Sequence, residues 1–531
     1  MRALLPLTCA SLLGACAGEG SFDLALVLPQ DPALRPNGMT TVTVTLTRGD
    51  ETPISTTSVL DGASFAAGDL GVADDVRIEV QLRDVSNRLV GVGEADALVD
   101  IRAGENTTVE IPVRRPFVCA SNGTQLFSFD PTLDATNVGF QGQLTGVTGP
   151  QVAVSVGGDR LAIVSSTSIT VFATDTNKAV GMPIALSGTT RDAAYVPGTR
   201  KVAVASDQGI SIVDIDTGNV QSTAIAGVGR ITVGPASDGR MLAHGLIDRV
   251  APEVNPLLEC TGTSKLVTVD VDAPPATGTA NPLGAAVSDL AAAPENVGLF
   301  ATLPCTGKVA RVTGDIDSGA PALEDFATLP RASVLAVAGG RVIAAGTEAS
   351  KPTCTPSCQP TSSTACSGPA PSSKVNFVDT GANLVVLSIP IAGGMPVTIA
   401  LPDRRETLLD QDDPANAHAQ VLNAFGTVPL DLVALPGGQH VGLVTSSNYY
   451  IEELASGTLT VLPCLNATTA DWLLLDLSSG TTQSRVRTSC DLIVGQADLF
   501  PNWKCDVPPP GEQSAFGDYT SLSVGALFGA R

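Results

Sequence analysis

The chain is 531 residues long and carries 30 Lys and Arg against 53 Asp and Glu, a formal net charge of −23. That balance argues against nucleic acid, whose phosphates need basic partners, and against electrostatic adhesion to anionic lipid. Aromatics are scarce at 4%, while Gly and Pro number 53 and 37. Val, Thr and Ala fill the short runs between turn residues, which suits an all-β chain.

At the amino terminus one basic residue, Arg2, precedes an apolar run that ends in Leu13-Gly14-Ala15-Cys16. Such a run is a secretory signal, too short to persist as a spanning helix. Leu13-Gly14-Ala15-Cys16 resembles the bacterial lipobox. The resemblance implies that residues 1–15 are removed and that Cys16 carries lipid. Residues 16–21 are then a tether, and Ala17 favours the outer membrane of the cell envelope. The rest is expected to be extracytoplasmic.

Residues 22–115 read as a small domain. Strand-like runs at Phe22 to Leu28, Thr41 to Thr47, Val76 to Leu82, Leu89 to Val92 and Thr107 to Val113 are separated by Asp, Gly, Asn and Pro. In Val76-Arg77-Ile78-Glu79-Val80-Gln81-Leu82 the alternation puts apolar groups on one face. The pattern suggests a β-sandwich. It resembles the Ig-like or prealbumin-like modules that follow the anchor in bacterial surface lipoproteins.

After Arg114-Arg115-Pro116 the chain repeats. An apolar strand ending in an acidic turn recurs at Leu126 to Asp130, Ile169 to Asp175, Ile210 to Gly218, Leu266 to Asp270, Val309 to Asp315, Val375 to Gly381 and Leu473 to Asp476. A strand, a Gly-type turn and a second strand precede most copies. Six such hairpins are complete: Val152 to Val164, Asp192 to Val204, Ile231 to Ala243, Leu290 to Ala301, Val334 to Ala345 and Leu432 to Val444. Ser521 to Arg531 looks like a first hairpin strand without its partner, and Phe117 to Ser121 like a second without its predecessor. Joined, they make a seventh unit and leave no open edge. Ile210 to Val220, with its apolar-x-apolar-Asp-x-x-Thr-Gly pattern, resembles the YVTN-type, WD40-like repeats of bacterial seven-bladed propellers. The expected fold is all-β: the sandwich, then a seven-bladed β-propeller over 116–531 closed by the carboxy-terminal strand.

Call the strands of a blade A to D from the channel outward. The B–C and D–A connections then share one face, and the A–B and C–D turns the other. The A–B turns are short. The long insertions fall at 246–264, 348–373 and 447–470 between B and C, and at 398–428 and 491–519 between D and A. All five are expected on one face. Eight cysteines lie in or beside them: Cys260, Cys305, Cys354, Cys358, Cys366, Cys464, Cys490 and Cys505. In an oxidising compartment these are disulfide candidates. Cys260 and Cys305 sit in similar contexts before strand C of consecutive blades and are expected to pair. The remaining six form two clusters whose connectivity stays open. Cys119, in an apolar strand, is expected to be a buried free thiol.

Catalytic signatures are missing. His244 falls in a predicted strand, His418 in an insertion and His440 near a hairpin turn, without zinc spacing. Asp410, Asp412 and Asp413 lack the glycine of a calcium loop. No catalytic residue, metal or cofactor is assigned. The leading expectation is a non-enzymatic binding or scaffold lipoprotein, with a protein or polysaccharide at the decorated face. The alternatives are a lactonase- or quinoprotein-like enzyme, which needs a polar cluster at the channel mouth, and an envelope-assembly lipoprotein.

Overall fold

The computed structural model describes residues 4–6, 21–48, 53–60, 73–102, 106–121, 126–130, 132, 139–147, 150–156, 158–250, 262–293, 298–316, 319–347, 384–401, 405–410, 420–435, 438–455, 458–491, 503–504 and 521–523. Among them there is no α-helix, only a 3-10 turn at Pro32–Leu34, and no helix long and apolar enough to cross a membrane.

Eight amino-terminal strands form one sheet. They are β1 (Leu4–Pro6), β2 (Ser21–Val27), β3 (Thr41–Thr47), β4 (Ile54–Val59), β5 (Ala73–Arg83), β6 (Leu89–Glu94), β7 (Val99–Ile101) and β8 (Asn106–Arg114). Their order is β1-β2-β8-β6-β5-β3-β4, with β7 also on β5. β2 and β8 are parallel, in register from Ser21 with Asn106 to Val27 with Pro112. Two residue pairs alone, Val92 with Arg114 and Gly93 with Val113, tie β8 to β6. The alternating apolar residues Ile78, Val80 and Leu82 meet Leu24, Val44 and Ile111 in one core. The opposite face of β5, with Arg77, Glu79, Gln81 and Arg83, is buried as well. Arg77 pairs with Glu94 at 2.9 Å and with Glu79 at 3.2 Å.

Seven further sheets follow, and six of them, antiparallel with four or five strands, are blades of a propeller. Their innermost strands, blades one to six, are Ser521–Ser523, Pro150–Val156, Thr190–Tyr195, Val228–Pro235, Asp289–Ala292 and Val334–Ala338. In blade one Ser521 lies opposite Ser121, Leu522 opposite Ala120 and Ser523 opposite Cys119. The remaining sheet has six strands, and its long ones are Gln420–Ala434, His440–Ala455, Thr458–Asp476 and Thr481–Asp491. Its Leu432 and Leu475 share a core with Val334 and Ile343 of blade six. Its Leu435 and Leu474 share another with Phe117, Leu126 and Phe172 at blades one and two.

The sequence reading of this part needs two corrections. Strand C of blade six is Leu384–Pro390, paired with Arg341–Thr347, whereas the repeat placed it at Val375 to Gly381, outside the described residues. The run Leu-Val-Val-Leu-Ser-Ile is buried on both faces and so carries no alternation to mark it. Strand D of the same blade, Val397–Leu401, begins just ahead of the stretch assigned to the 398–428 insertion and runs into it. Secondly, 447–470 is no plain loop: His440–Ala455 and Thr458–Asp476 continue through it as a paired ladder. Val, Leu, Ile and Thr recur often enough in both arms to sustain strand.

The amino-terminal sheet docks on the turns of the propeller. Leu89 and Val92 of β6 enter the core that holds Phe117 and Leu161. Gly158 N–H, in the A–B turn of blade two, donates to Asp96 at 3.1 Å, and Arg83 donates to Gln439 at 3.3 Å. Arg114 is fully buried, donating to the Thr174 carbonyl at 2.9 Å and to Asn177 at 3.2 Å, with its guanidinium 3.8 Å from the Phe117 ring centre. Burial brings its pKa down to about 9, against the opposing pull of Asp130 and Asp175. Leu98 approaches Gly198, and Pro53 approaches Gly340. Apart from Phe117 and Leu161, at the starts of B strands, these propeller groups belong to A–B or C–D turns.

Candidate channel cluster and binding faces

At the D–A end of the inner strands, single charged residues from four sheets converge. Asp192 is in the inner strand of blade three, Arg230 in that of blade four and Asp289 in that of blade five, while Asp431 is in the six-stranded sheet. Arg230 donates to Asp289 through Nε at 2.5 Å and Nη2 at 3.1 Å. It lies 3.5 Å from Asp192 and, across the channel, 3.3 Å from Asp431. Asp192 and Asp289 are 3% and 2% exposed, Asp431 17%. Burial alone would weaken the hold of Arg230 on its proton. The Asp192 and Asp289 carboxylates outweigh it and raise the pKa above the usual arginine value. Arg249, half-buried beside Arg230, donates to the Gly229 carbonyl at 3.4 Å.

The same side chains stitch neighbouring inner strands together. Asp192 accepts from Ile231 N–H at 3.0 Å, Thr232 from Ala292 N–H at 3.0 Å, and Asp289 from Leu335 N–H at 2.9 Å. Beneath the cluster the channel is lined by Ile231, Leu290, Leu335 and Val433 and holds a cavity of about 20 Å³, room for about one water. Polar residues therefore do converge at the channel mouth, where the sequence reading assigned none. Their carboxylates are already engaged by Arg230 or by backbone N–H groups.

A signal for the cluster was present in the sequence. Asp192, Arg230, Asp289 and Asp431 each stand five residues before a proline, Pro197, Pro235, Pro294 and Pro436. The repeated offset places them at equivalent positions of four inner strands.

Cys119 is a buried free thiol, and burial pushes its pKa up to about 12. Cys305 is disulfide-bonded, while Cys260 lies outside the described residues. So do Cys354, Cys358, Cys366 and Cys505. Cys16, Asp412, Asp413 and His418 lie outside them too. Cys464 and Cys490 stand in adjacent strands of the six-stranded sheet, with Cys490 opposite Thr469. His440 is buried beside Asp476, and His244 is buried with Nδ1 3.1 Å from Thr268 Oγ1. Among the described residues no group of three or more His, Cys, Asp or Glu could hold a metal ion.

The class these sheets define is an all-β propeller carrying an amino-terminal β-domain. No protein family matches the chain, and no curated protein matches it. Among solved structures, Kluyveromyces lactis Hsv2 is similar over 71% of this chain and 96% of that one, with 9% identity and a TM-score of 0.35. The Myceliophteria thermophila Cps50 (Swd1) β-propeller domain is similar over 66% of this chain and 99% of that domain, with 11% identity and a TM-score of 0.33. Likeness at this level carries no argument about activity or partner.

Proposed function

We propose that this chain is a binding or scaffold propeller, held to an outer membrane through lipid on Cys16. Its B–C and D–A face is offered to a protein or polysaccharide partner. In this reading the six-stranded sheet is a seventh, extended blade, and the amino-terminal sheet is an Ig-like or prealbumin-like sandwich. The shared cores on both sides of the six-stranded sheet support the first point. The single core between β2–β8 and β3–β5 supports the second.

The observation that carries the proposal is the docking of the amino-terminal sheet. It takes up A–B and C–D turns, at Gly158, Thr174, Gly198, Gly340 and Gln439. The B–C and D–A face is left for a partner. β2 runs toward the propeller, where Val27, Leu28 and Pro29 lie beside Gly158 and Asp159. Ser21 therefore sits at the remote end of β2, about 20 Å from the blades at strand rise. A tether of about five residues between Cys16 and Ser21 reaches ~18 Å at most. The insertion-bearing face is thus directed away from the anchoring bilayer. Cleavage ahead of Cys16 would also remove β1 and leave β2 as the edge of its sheet. An engaged cluster above a cavity of one water favours recognition over catalysis in the channel.

Photo-cross-linking from single positions tests the proposal. Thr189 and Gln208 are exposed at D–A and B–C connections, Asp216 and Asp238 at C–D and A–B turns. Adducts with one envelope component are expected from the first pair and not the second; the reverse pattern would overturn the assignment of the face. Cys16→Ser is expected to move the protein out of the detergent phase. Unchanged partition would refute the lipid anchor without touching the face.

A further inference from the structure

A second site is open to a ligand, away from both the channel and the insertion-bearing face. A cleft of about 480 Å³ runs between blades four and five and opens on the side of the A–B turn of blade four. Leu242, His244, Leu299 and Val312 form its buried floor, and Ser237 and Gly314 its exposed rim. The contacts that dock the amino-terminal sheet fall on turns of other blades, at Gly158, Gly198, Gly340 and Gln439. We propose that this cleft binds an uncharged, largely apolar small molecule through one hydrogen bond to His244 Nε2.

The size is that of small-molecule sites, several hundred cubic ångströms, and far exceeds the room that one water needs. None of the described residues that line the cleft is charged, so an ionic ligand would lose its hydration there without compensation. The wall stays bare for a backbone reason. Gly314 has φ +83°, and a side chain there would meet the Ala320 carbonyl at 2.4 Å.

His244 supplies the one directional group. The residue is 5% exposed in the strand Met241–Ile247, directly opposite Thr268 of the neighbouring strand. Thr268 Oγ1 engages Nδ1 and fixes the ring. Nε2 makes no hydrogen bond among the described residues, and His244 lines the cleft. Burial pulls the imidazole pKa down to about 4, so the ring is neutral at pH 7. A neutral imidazole held by a hydroxyl presents Nε2 as a single donor or acceptor. It suits a carbonyl or hydroxyl on an otherwise apolar body.

The test uses the full chain with 2-naphthol, which is apolar, neutral at pH 7 and bears one hydroxyl, and naphthalene as its counterpart without the hydroxyl. The chain has three histidines, so selective 15N labelling resolves His244. Expected are saturable one-to-one binding of 2-naphthol, a shift confined to the His244 Nε2 signal, and about tenfold weaker binding of naphthalene. Ser237→Trp, on the exposed turn, should close the mouth and weaken 2-naphthol by tenfold or more, with folding unaffected. His244→Leu should reduce 2-naphthol to the affinity of naphthalene. Absence of saturable binding, binding that leaves Nε2 unmoved, or full affinity in Ser237→Trp would each overturn the proposal.

Discussion

Arg230 is the residue on which the channel depends. It is nearly buried, and it neutralises two carboxylates that are more buried still. Arg230→Met is therefore expected to cost about 3–5 kcal/mol in urea unfolding, because Asp192 and Asp289 would lose the guanidinium that lies directly against them, with Arg249 as a further cation nearby. Adding Asp289→Asn should recover part of that loss, the mark of coupled neighbours. Asp431→Asn should cost less, since Asp431 is the most exposed of the three.

His244 makes a different prediction, in pH. Its folded pKa of about 4 lies below the ordinary 6.5. Between those values the unfolded chain binds a proton that the folded chain does not. The stability tied to this ring is thus complete above pH 6.5 and is lost as pH falls toward 4. The loss reaches about 3 kcal/mol. His244→Gln should flatten the stability curve in that window. A curve unchanged by the substitution would show that the ring is not desolvated as described.

Among elements, the last described strand has the largest reach. Ser521–Ser523 is the inner strand of blade one, and among the described residues it pairs with Val118–Ser121 alone. Removing residues 521–531 exposes that partner and takes away packing against Pro150–Val156 of blade two. The whole ring should melt earlier and still in one transition, as followed by calorimetry. An unchanged melting temperature would place ring closure elsewhere.

This pairing could be read in the sequence because both half-hairpins were conspicuous as incomplete units. The six full hairpins were readable for a related reason: each is two apolar runs about a tight turn. Leu384–Pro390 could not be read in the same way, since a strand buried on both faces has no period of two. For Asp192, Arg230, Asp289 and Asp431 the shared offset to a proline marks equivalent strand positions, but not that the four side chains meet. Each is one charge opening an apolar strand, and only the curvature of the ring brings the four together. The polar face of β5 was half legible: alternation separates Arg77, Glu79 and Gln81 from the core, but nothing local says that a propeller covers them.

At the scale of the whole molecule, sheet and propeller are joined by turns fitted closely to one another. Gly158 shows how closely. A side chain there would come within 2.4 Å of Pro112 and 2.6 Å of the Glu94 carbonyl. Gly158→Val is expected to separate the two parts, exposing Leu89 and Val92, while each keeps its own core. Limited proteolysis should then cut near Arg115 in the variant and spare the parent. Equal resistance in both would mean that the docking tolerates the added bulk.

The parallel pair β2 and β8 gives the molecule a mechanical property. Both strands run toward the propeller, and β8 continues through Arg114 into it. A pull on the amino-terminal end of β2, with the propeller held by a partner, acts along the strands. The seven paired residues of β2 would have to slide past β8 together; they could not peel away one at a time. Under tension the sheet is a shear clamp, and its rupture is governed by an unfolding rate, not by equilibrium stability.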